Sequence, residues 1–249
     1  MPVRILVFVL ALVLFLAVQA PAWLIDSLLA QTTAQSLRLT QIEGTLWGGR
    51  GQLIVVDPVS RSAQPWIALE WHWLPARLFK GELAWRLAGD AKPAGDVAAG
   101  IRGWRAEGLA LLAPARFAME RIPSTFGRLG WRGDLQLETS QWQCTWKMTC
   151  NGRGSLRWAG AAVDVLRGRP LGDYQIDFVG TGEKISLRWS TQNGATKITA
   201  QGDWSPKGPW SLQGEIQGDP AFLQRLPSVA GEWVRPASGP GHYRFDFRG

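Results

Sequence analysis

The chain has 249 residues, 46% hydrophobic and 19% charged, and 27 Lys and Arg against 20 Asp and Glu give a net charge of +7. Its length suits one large domain or two small ones, and so apolar and aromatic a composition excludes a disordered polymer. Two His, two Cys and three Met starve metal-cluster chemistry of ligands, whereas 15 Trp with 29 Gly favour sheets and tight turns over helical bundles.

Residues 5–18 form an unbroken apolar run. Carried through Gln19, Ala20 and Pro21 to Ile25, the segment reaches 21 residues. A helix that crosses a bilayer needs about 20. The shorter run also suits a signal-peptide core, and Val18-Gln19-Ala20 resembles a processing site. Pro21 just after such a cut would fit a protease badly, and Trp23 suits an interfacial belt. The expectation is a retained transmembrane helix over 5–25. A cleaved signal and a buried core helix are the alternatives. Arg4 precedes the span and the next basic residue is Arg38. The positive-inside rule then leaves 1–4 in the cytoplasm and 26–249 as a periplasmic body on a single-pass inner-membrane protein. No second apolar stretch of about 20 residues brings the chain back.

The body reads as short strands. Ile67, Leu69, Trp71 and Trp73 share one face, as do Leu83, Trp85 and Leu87. Trp131, Leu135, Leu137 and Thr139 alternate with Arg132, Asp134, Gln136 and Glu138. Tyr174, Ile176 and Phe178 continue the pattern, and Tyr243, Phe245 and Phe247 close it. Period two with polar residues between predicts half-buried antiparallel strands. Asn193-Gly194 predicts a two-residue hairpin that pairs Trp189 with Ile198, Leu187 with Ala200 and Ile185 with Gly202. A five-residue loop at 205–209 then pairs Trp204 with Trp210, Gly202 with Leu212 and Ala200 with Gly214. Helix is confined to 27–35, to a turn or two within 114–129 interrupted by Pro123, and to a stretch from Asp219 at the N-cap and Pro220 at N1 to Leu226. The expected fold is all-β, with about 12 strands in an extended, strongly curved antiparallel sheet or two stacked β modules after the N-terminal helix. A soft boundary is expected near 140–155.

Cys144 and Cys150 lie six positions apart. A zinc site would need more ligands than two His can add, and a CxxC motif has only two spacers. A local disulfide in an oxidising compartment reads best, with a pair of buried free thiols as the alternative.

The sequence offers no catalytic, cofactor-binding or metal-binding residues and implies no cofactor. His72 lies between Trp71 and Trp73 and is expected on the opposite, polar face, and His242 sits in a Gly-rich turn. Neither has a neighbouring nucleophile with a carboxylate orienter. Asp57, Glu70, Asp90, Asp134 and Asp177 read as solvated. The Gly-rich stretches 48–51 and 180–184 lack phosphate-loop spacing and read as turns. Arg102, Arg105, Arg116, Arg121, Arg128 and Arg132 thicken the middle of the chain. An extracytoplasmic body argues against nucleic acid, so anionic lipid headgroups, an acidic protein surface or plain solvation remain.

Ile42-Glu43-Gly44-Thr45-Leu46-Trp47-Gly48-Gly49-Arg50 resembles the G-T-L-W-x-G element of the type II secretion system protein N family. Leu69-Glu70-Trp71-His72-Trp73-Leu74-Pro75, Leu78-Phe79-Lys80-Gly81 and Pro170-Leu171-Gly172-Asp173-Tyr174 resemble further elements of that family, in the same order and spacing. The cysteine pair resembles family members as well. The resemblance implies an accessory, inner-membrane component of the machine that exports folded proteins across the outer membrane of Gram-negative bacteria. It implies other secretion subunits as partners and supplies no catalytic residue. The leading expectation is a non-enzymatic assembly or interaction factor. The alternative is a periplasmic lipid-handling protein whose Trp-rich face shelters acyl chains. A hydrolase would require His72 or His242 in a pocket with a carboxylate in reach.

Overall fold

Alternating side chains build antiparallel strands along most of the chain. The computed structural model describes residues 2–56, 61–89, 93–119, 130–164, 170–206, 208–224 and 233–248. Contacts divide it into two units, Met1–Ala98 and Ala99–Gly249. The cysteine loop near 140–155 lies inside the second.

The first unit opens with helices α1 (Pro2–Val18) and α2 (Trp23–Thr32). Strands β1 (Leu37–Gly44), β2 (Gly48–Val56), β3 (Ala63–Trp73), β4 (Glu82–Gly89) and β5 (Pro93–Gly100) follow, with a 3-10 turn at Pro75–Lys80. They lie side by side in chain order. Alternation on β3 buries Trp71 and leaves His72 exposed, as expected. Trp71 packs with Leu39 and Ala22 in a core completed by Ile25, Ile42, Leu53, Trp85 and Leu87.

The continuous helix expected over 5–25 is not formed. Helix α1 stops at Val18, and Pro21 makes an isolated bridge to Thr45 instead. Proline has no N–H to continue the ladder and biases the preceding residue away from helix. Ala22 and Ile25 then belong to the sheet's core rather than to an anchor. No helix among the described residues is long and apolar enough to cross a membrane.

The second unit contains β6 (Gly103–Pro114), α3 (Ala115–Met119), β7 (Trp131–Thr145), β8 (Cys150–Val163), β9 (Gly172–Gly182), β10 (Lys184–Asn193), β11 (Lys197–Trp204) and β12 (Trp210–Gln217). Helix α4 (Pro220–Leu223), β13 (Val234–Pro236) and β14 (His242–Arg248) complete it. Each strand pairs with its chain neighbour up to β12, after which β14 inserts between β12 and β13. Asp219 and Pro220 open α4 as expected; of the expected helix at 114–129, only α3 lies in the described residues.

The apolar face of this unit carries an aromatic ladder. Trp131 and Trp158 have ring centroids 5.2 Å apart, Trp158 and Tyr174 5.9 Å, and Tyr174 and Trp189 6.2 Å. Ala115 packs into this core from α3, and Leu223 from α4 into its neighbour, both wholly buried. On β7 the apolar phase runs through Trp131, Leu135 and Thr139 and then jumps to Trp142 and Cys144. A bulge between Thr139 and Gln141 supplies the extra residue that shifts the phase.

Strands β11 and β12 pair as predicted, Trp204 with Trp210 and Ala200 with Gly214. The β10–β11 hairpin does not. Trp189 pairs with Ala200, Leu187 with Gly202 and Ile185 with Trp204, two residues from the expected register. A shift of two preserves the face. The tight Asn193-Gly194 turn is opened by tertiary bonds: Thr196 N–H donates to Leu171 O (3.1 Å), and the Tyr174 hydroxyl donates to Thr196 O (2.9 Å). Asn193 pairs with Asp173 on β9 instead.

Candidate functional site

In the first unit, the turn at 45–47 between β1 and β2 is the best-tied segment. Gly44 enters it with φ +95°, a conformation that favours glycine. All three backbone carbonyls accept hydrogen bonds. Trp71 Nε1 donates to Thr45 O (3.0 Å), Trp85 Nε1 to Leu46 O (3.0 Å) and Trp73 N to Trp47 O (2.7 Å). The three amides are equally spoken for. Thr45 N donates to Gly48 O (2.9 Å), Leu46 N to Ala20 O (2.8 Å) and Trp47 N to Thr45 Oγ1 (3.3 Å). The Trp47 indole then reaches Ala17 O at 2.7 Å and packs on Trp73 with centroids 4.8 Å apart. The last turn of α1 normally leaves carbonyls without partners. Here Ala17 O gains the Trp47 indole beside the Ala20 amide, and Ala20, two residues past the helix, is bonded by Leu46 N. This segment is therefore a clamp that fastens the end of an apolar helix to a sheet. Gly49 is part of the fit, because a Cβ there would overlap Glu43 O and sit 2.7 Å from the Trp71 ring.

What the clamp holds is almost wholly apolar. Ile5, Leu6, Phe8, Leu10 and Phe15 of α1 are all more than half exposed. At the same end of this unit's sheet, the turn at Pro75–Lys80 presents Phe79, 96% exposed, beside Arg77 and Lys80.

The second unit carries a groove of about 1090 Å3 on the polar face of β10–β14. Arg188, Gln201, Gln213, Arg235, Arg244 and Arg248 line it. Arg244 bonds Glu215 (2.9 Å) and Arg248 bonds Asp246 (2.8 Å). Arg188 and Arg235 have no ion pair among the described residues. Arg235 lies directly across from Arg244 in the β13–β14 register, a like-charge juxtaposition that costs stability. Sequence reading did not single out these arginines, since 60 positions separate Arg188 from Arg248. The available signal was their phase, opposite to Trp189, Tyr243, Phe245 and Phe247.

The arginines flagged in the sequence do not gather. Arg102 is exposed, Arg105 pairs with Glu107 (3.6 Å), Arg116 lies over the Phe117 ring and Arg132 pairs with Asp164. Arg121 and Arg128 lie outside the described residues, as do Asp57 and Asp90. Glu70 and Asp134 are exposed, and Asp177 accepts from Gln175 at 2.8 Å.

His242 does meet a carboxylate. Its Nε2 is 3.2 Å from Glu215 Oε2, and its Nδ1 is 3.4 Å from Ser238 O. Both ring nitrogens lie beside acceptor oxygens, and no hydroxyl or thiol among the described residues is bonded to either. Arg244, and then His242, hold the Glu215 carboxyl below its usual range. That is an ion-pair network, not a nucleophile–base pair. No group of three or more His, Cys, Asp or Glu among the described residues is placed to hold a metal ion. Cys144 and Cys150 are disulfide-bonded across the end of the β7–β8 hairpin, with Cα atoms 4.1 Å apart.

No curated protein and no solved structure matches this chain. The family model of type II secretion system protein N matches residues 35–231, which include the turn at 45–47 and most of both units, and the chain belongs to that family.

Proposed function

We propose that this protein is a non-enzymatic accessory subunit of type II secretion that sits on the inner membrane and engages an acidic segment of another secretion subunit. Helix α1 is the membrane element. Its 17 residues span about 25 Å at 1.5 Å per residue, against about 30 Å of bilayer hydrocarbon, so insertion requires local thinning. Past Arg4 the described side chains of the helix are apolar on every face, which suits immersion in lipid better than lying in the interface plane. A cytoplasmic start agrees with Arg4 under the positive-inside rule, and the disulfide fits a periplasmic body.

The observation that carries the partner reading is the arginine groove. Arg235 and Arg244 face each other across neighbouring strands, and Arg235 and Arg188 lack counter-ions among the described residues. A carboxylate-rich segment would supply those counter-ions and relieve the repulsion. The acyl-chain alternative draws little support from the apolar face, which its own Trp131, Trp158, Tyr174 and Trp189 fill.

A photo-crosslinking residue placed at Gln201 of the full chain, in membranes of secreting cells, tests this. The expected products are adducts to secretion subunits at acidic segments, lost in Arg188→Glu and Arg235→Glu. Absence of secretion-subunit adducts, or adducts indifferent to both reversals, refutes the reading.

A further inference from the structure

Antiparallel pairing fixes which strand ends share one rim of the second unit. Gly103 pairs with Thr145, Cys144 with Cys150, Cys150 with Gly182, Ile185 with Trp204, Trp204 with Trp210, and Ser211 with Arg248. The tips at 101–104, 145–149, 182–184 and 204–210 therefore stand along a single end of the sheet.

That end concentrates the unit's exposed large apolar side chains. Ile101 is 92% exposed, Trp146 59%, Trp204 44%, Trp210 43%, and Trp104 and Met148 37% each. Trp233, also exposed, stacks on Phe247 two residues from the same end. At the opposite end, Leu112 alone is comparably exposed among the described residues.

The tips are also held in place. The disulfide closes the β7–β8 tip, and Trp146 Nε1 donates to Gly100 O at 3.0 Å across to the neighbouring tip. The indole is thus fixed with its ring face in solvent. Arg102 and Lys147 flank it and have no ion pair among the described residues. Farther along, Lys184 is neutralised by Asp203 (2.9 Å) and Arg248 by Asp246 (2.8 Å).

We propose that this rim docks on an anionic phospholipid bilayer, with its indoles at headgroup level and the cations of the disulfide tip on lipid phosphates. The chemistry favours lipid over a protein partner. Tryptophan combines an apolar body with one N–H, the composition of an interfacial belt, and Lys and Arg beside it meet an anionic surface. The layout agrees. Protein hot spots cluster at the centre of a patch. These side chains instead spread along seven strand spacings, about 34 Å at roughly 4.8 Å each, the extended footprint of a surface rather than of one buried anchor. This inference goes beyond the secretion role and does not depend on the arginine groove or on α1.

The test uses the full chain in phosphatidylethanolamine–phosphatidylglycerol vesicles. An environment-sensitive dye is placed at Ile101→Cys or Glu183→Cys on the rim, and at Gln192→Cys on the opposite end. Lipids brominated along the acyl chain should quench both rim dyes by about half or more and leave the dye at 192 unchanged. Replacing phosphatidylglycerol by phosphatidylcholine should weaken the quenching severalfold. Rim dyes quenched no more than the dye at 192 overturn the proposal. So does shielding of the rim by an added secretion subunit but not by lipid. Equal quenching in phosphatidylcholine overturns the assignment to an anionic surface. Two rim positions keep the test valid if one substitution disturbs the disulfide tip.

Discussion

Asp26 on α2 grips Arg38 on β1 through two parallel bonds, Nε to Oδ1 at 2.9 Å and an Nη to Oδ2 at 2.7 Å. Asp26 Oδ1 also accepts the Leu39 amide at 2.8 Å. β1 is an edge strand, and an uncovered edge invites pairing with other chains. One carboxylate therefore both seats α2 and blocks part of that edge.

Its pH dependence follows. The Arg38 hydrogen bond, and after it the Leu39 amide, hold the Asp26 carboxyl below its usual range against the opposing effect of burial. A depressed folded-state pKa stabilises the protein above the unfolded value of about 3.9, and that contribution disappears as pH falls through the folded value. Amide protection factors at residues 37–39 of the full chain, corrected for the intrinsic pH dependence of exchange, should be high at pH 6 and fall below about pH 4. Asp26→Asn should exchange faster at pH 6, and the gap between the two proteins should close on acidification. A gap that is constant with pH would show that the pair does not hold the edge.

The clamp at 45–47 makes its own demand. Gly49→Ala drives a Cβ toward Glu43 O and the Trp71 ring, where backbone has to move. The expected loss is about 1–3 kcal/mol, typical of overpacking. Trp47→Phe keeps a ring against Trp73 but removes the indole bond to Ala17 O and leaves that carbonyl only the Ala20 amide, at a cost of about 1 kcal/mol. Denaturant unfolding should rank Gly49→Ala below Trp47→Phe and both below the parent. Amide exchange in Trp47→Phe should rise at residues 17–22 more than in β3. Equal changes in the two segments would mean that the clamp does not fasten α1.

Cys144 and Cys150 close a loop so short that chain entropy predicts about 2 kcal/mol. The double Cys144→Ala, Cys150→Ala variant should lose about that much, and reduction of the parent should reproduce it. Strand ends at 142–145 and 150–152 should fray first by amide exchange. A reduced parent as stable as the oxidised one would reject the chain-entropy account.

Much of this architecture is legible in alternation. The faces of β3, β9, β12 and β14, and the Trp204–Trp210 register, follow from period two and one loop length, because inward side chains must share a face. The break at Pro21 was marked by the proline itself, but residues 22–25 are as apolar as an anchor, and only packing with Leu39 and Trp71 reveals Ala22 and Ile25 as core. The phase change at Ser140 was illegible, since a bulge needs no special residue. The groove was hidden for another reason. Arg188 and Arg235 meet only through pairings that run through β11, β12 and β14.

The β10–β11 hairpin is the clearest case of tertiary structure overriding a local turn signal. Tyr174 is 1% exposed, its phenol pKa pushed up by burial, and its hydroxyl donates to Thr196 O. Thr196 is buried as well, so that carbonyl has no easy replacement from water. Thr191 Oγ1 accepts from Ile198 N (2.6 Å) and fastens the other side of the widened loop. Tyr174→Phe removes one donor and leaves the ring in the aromatic ladder. The expected cost is about 1–2 kcal/mol, with faster amide exchange at Thr196 and Ile198 and unchanged exchange at Trp158. Freed of that bond, Asn193-Gly194 can relax toward its intrinsic two-residue turn, which brings Trp189 opposite Ile198. Cross-strand amide–amide contacts measured by NMR distinguish the registers. In the Tyr174→Phe variant a minor population with Trp189 beside Ile198 is the expected result. A variant that loses stability yet keeps only the Trp189–Ala200 pairing would show that Thr191 and Leu171 hold the register without the tyrosine.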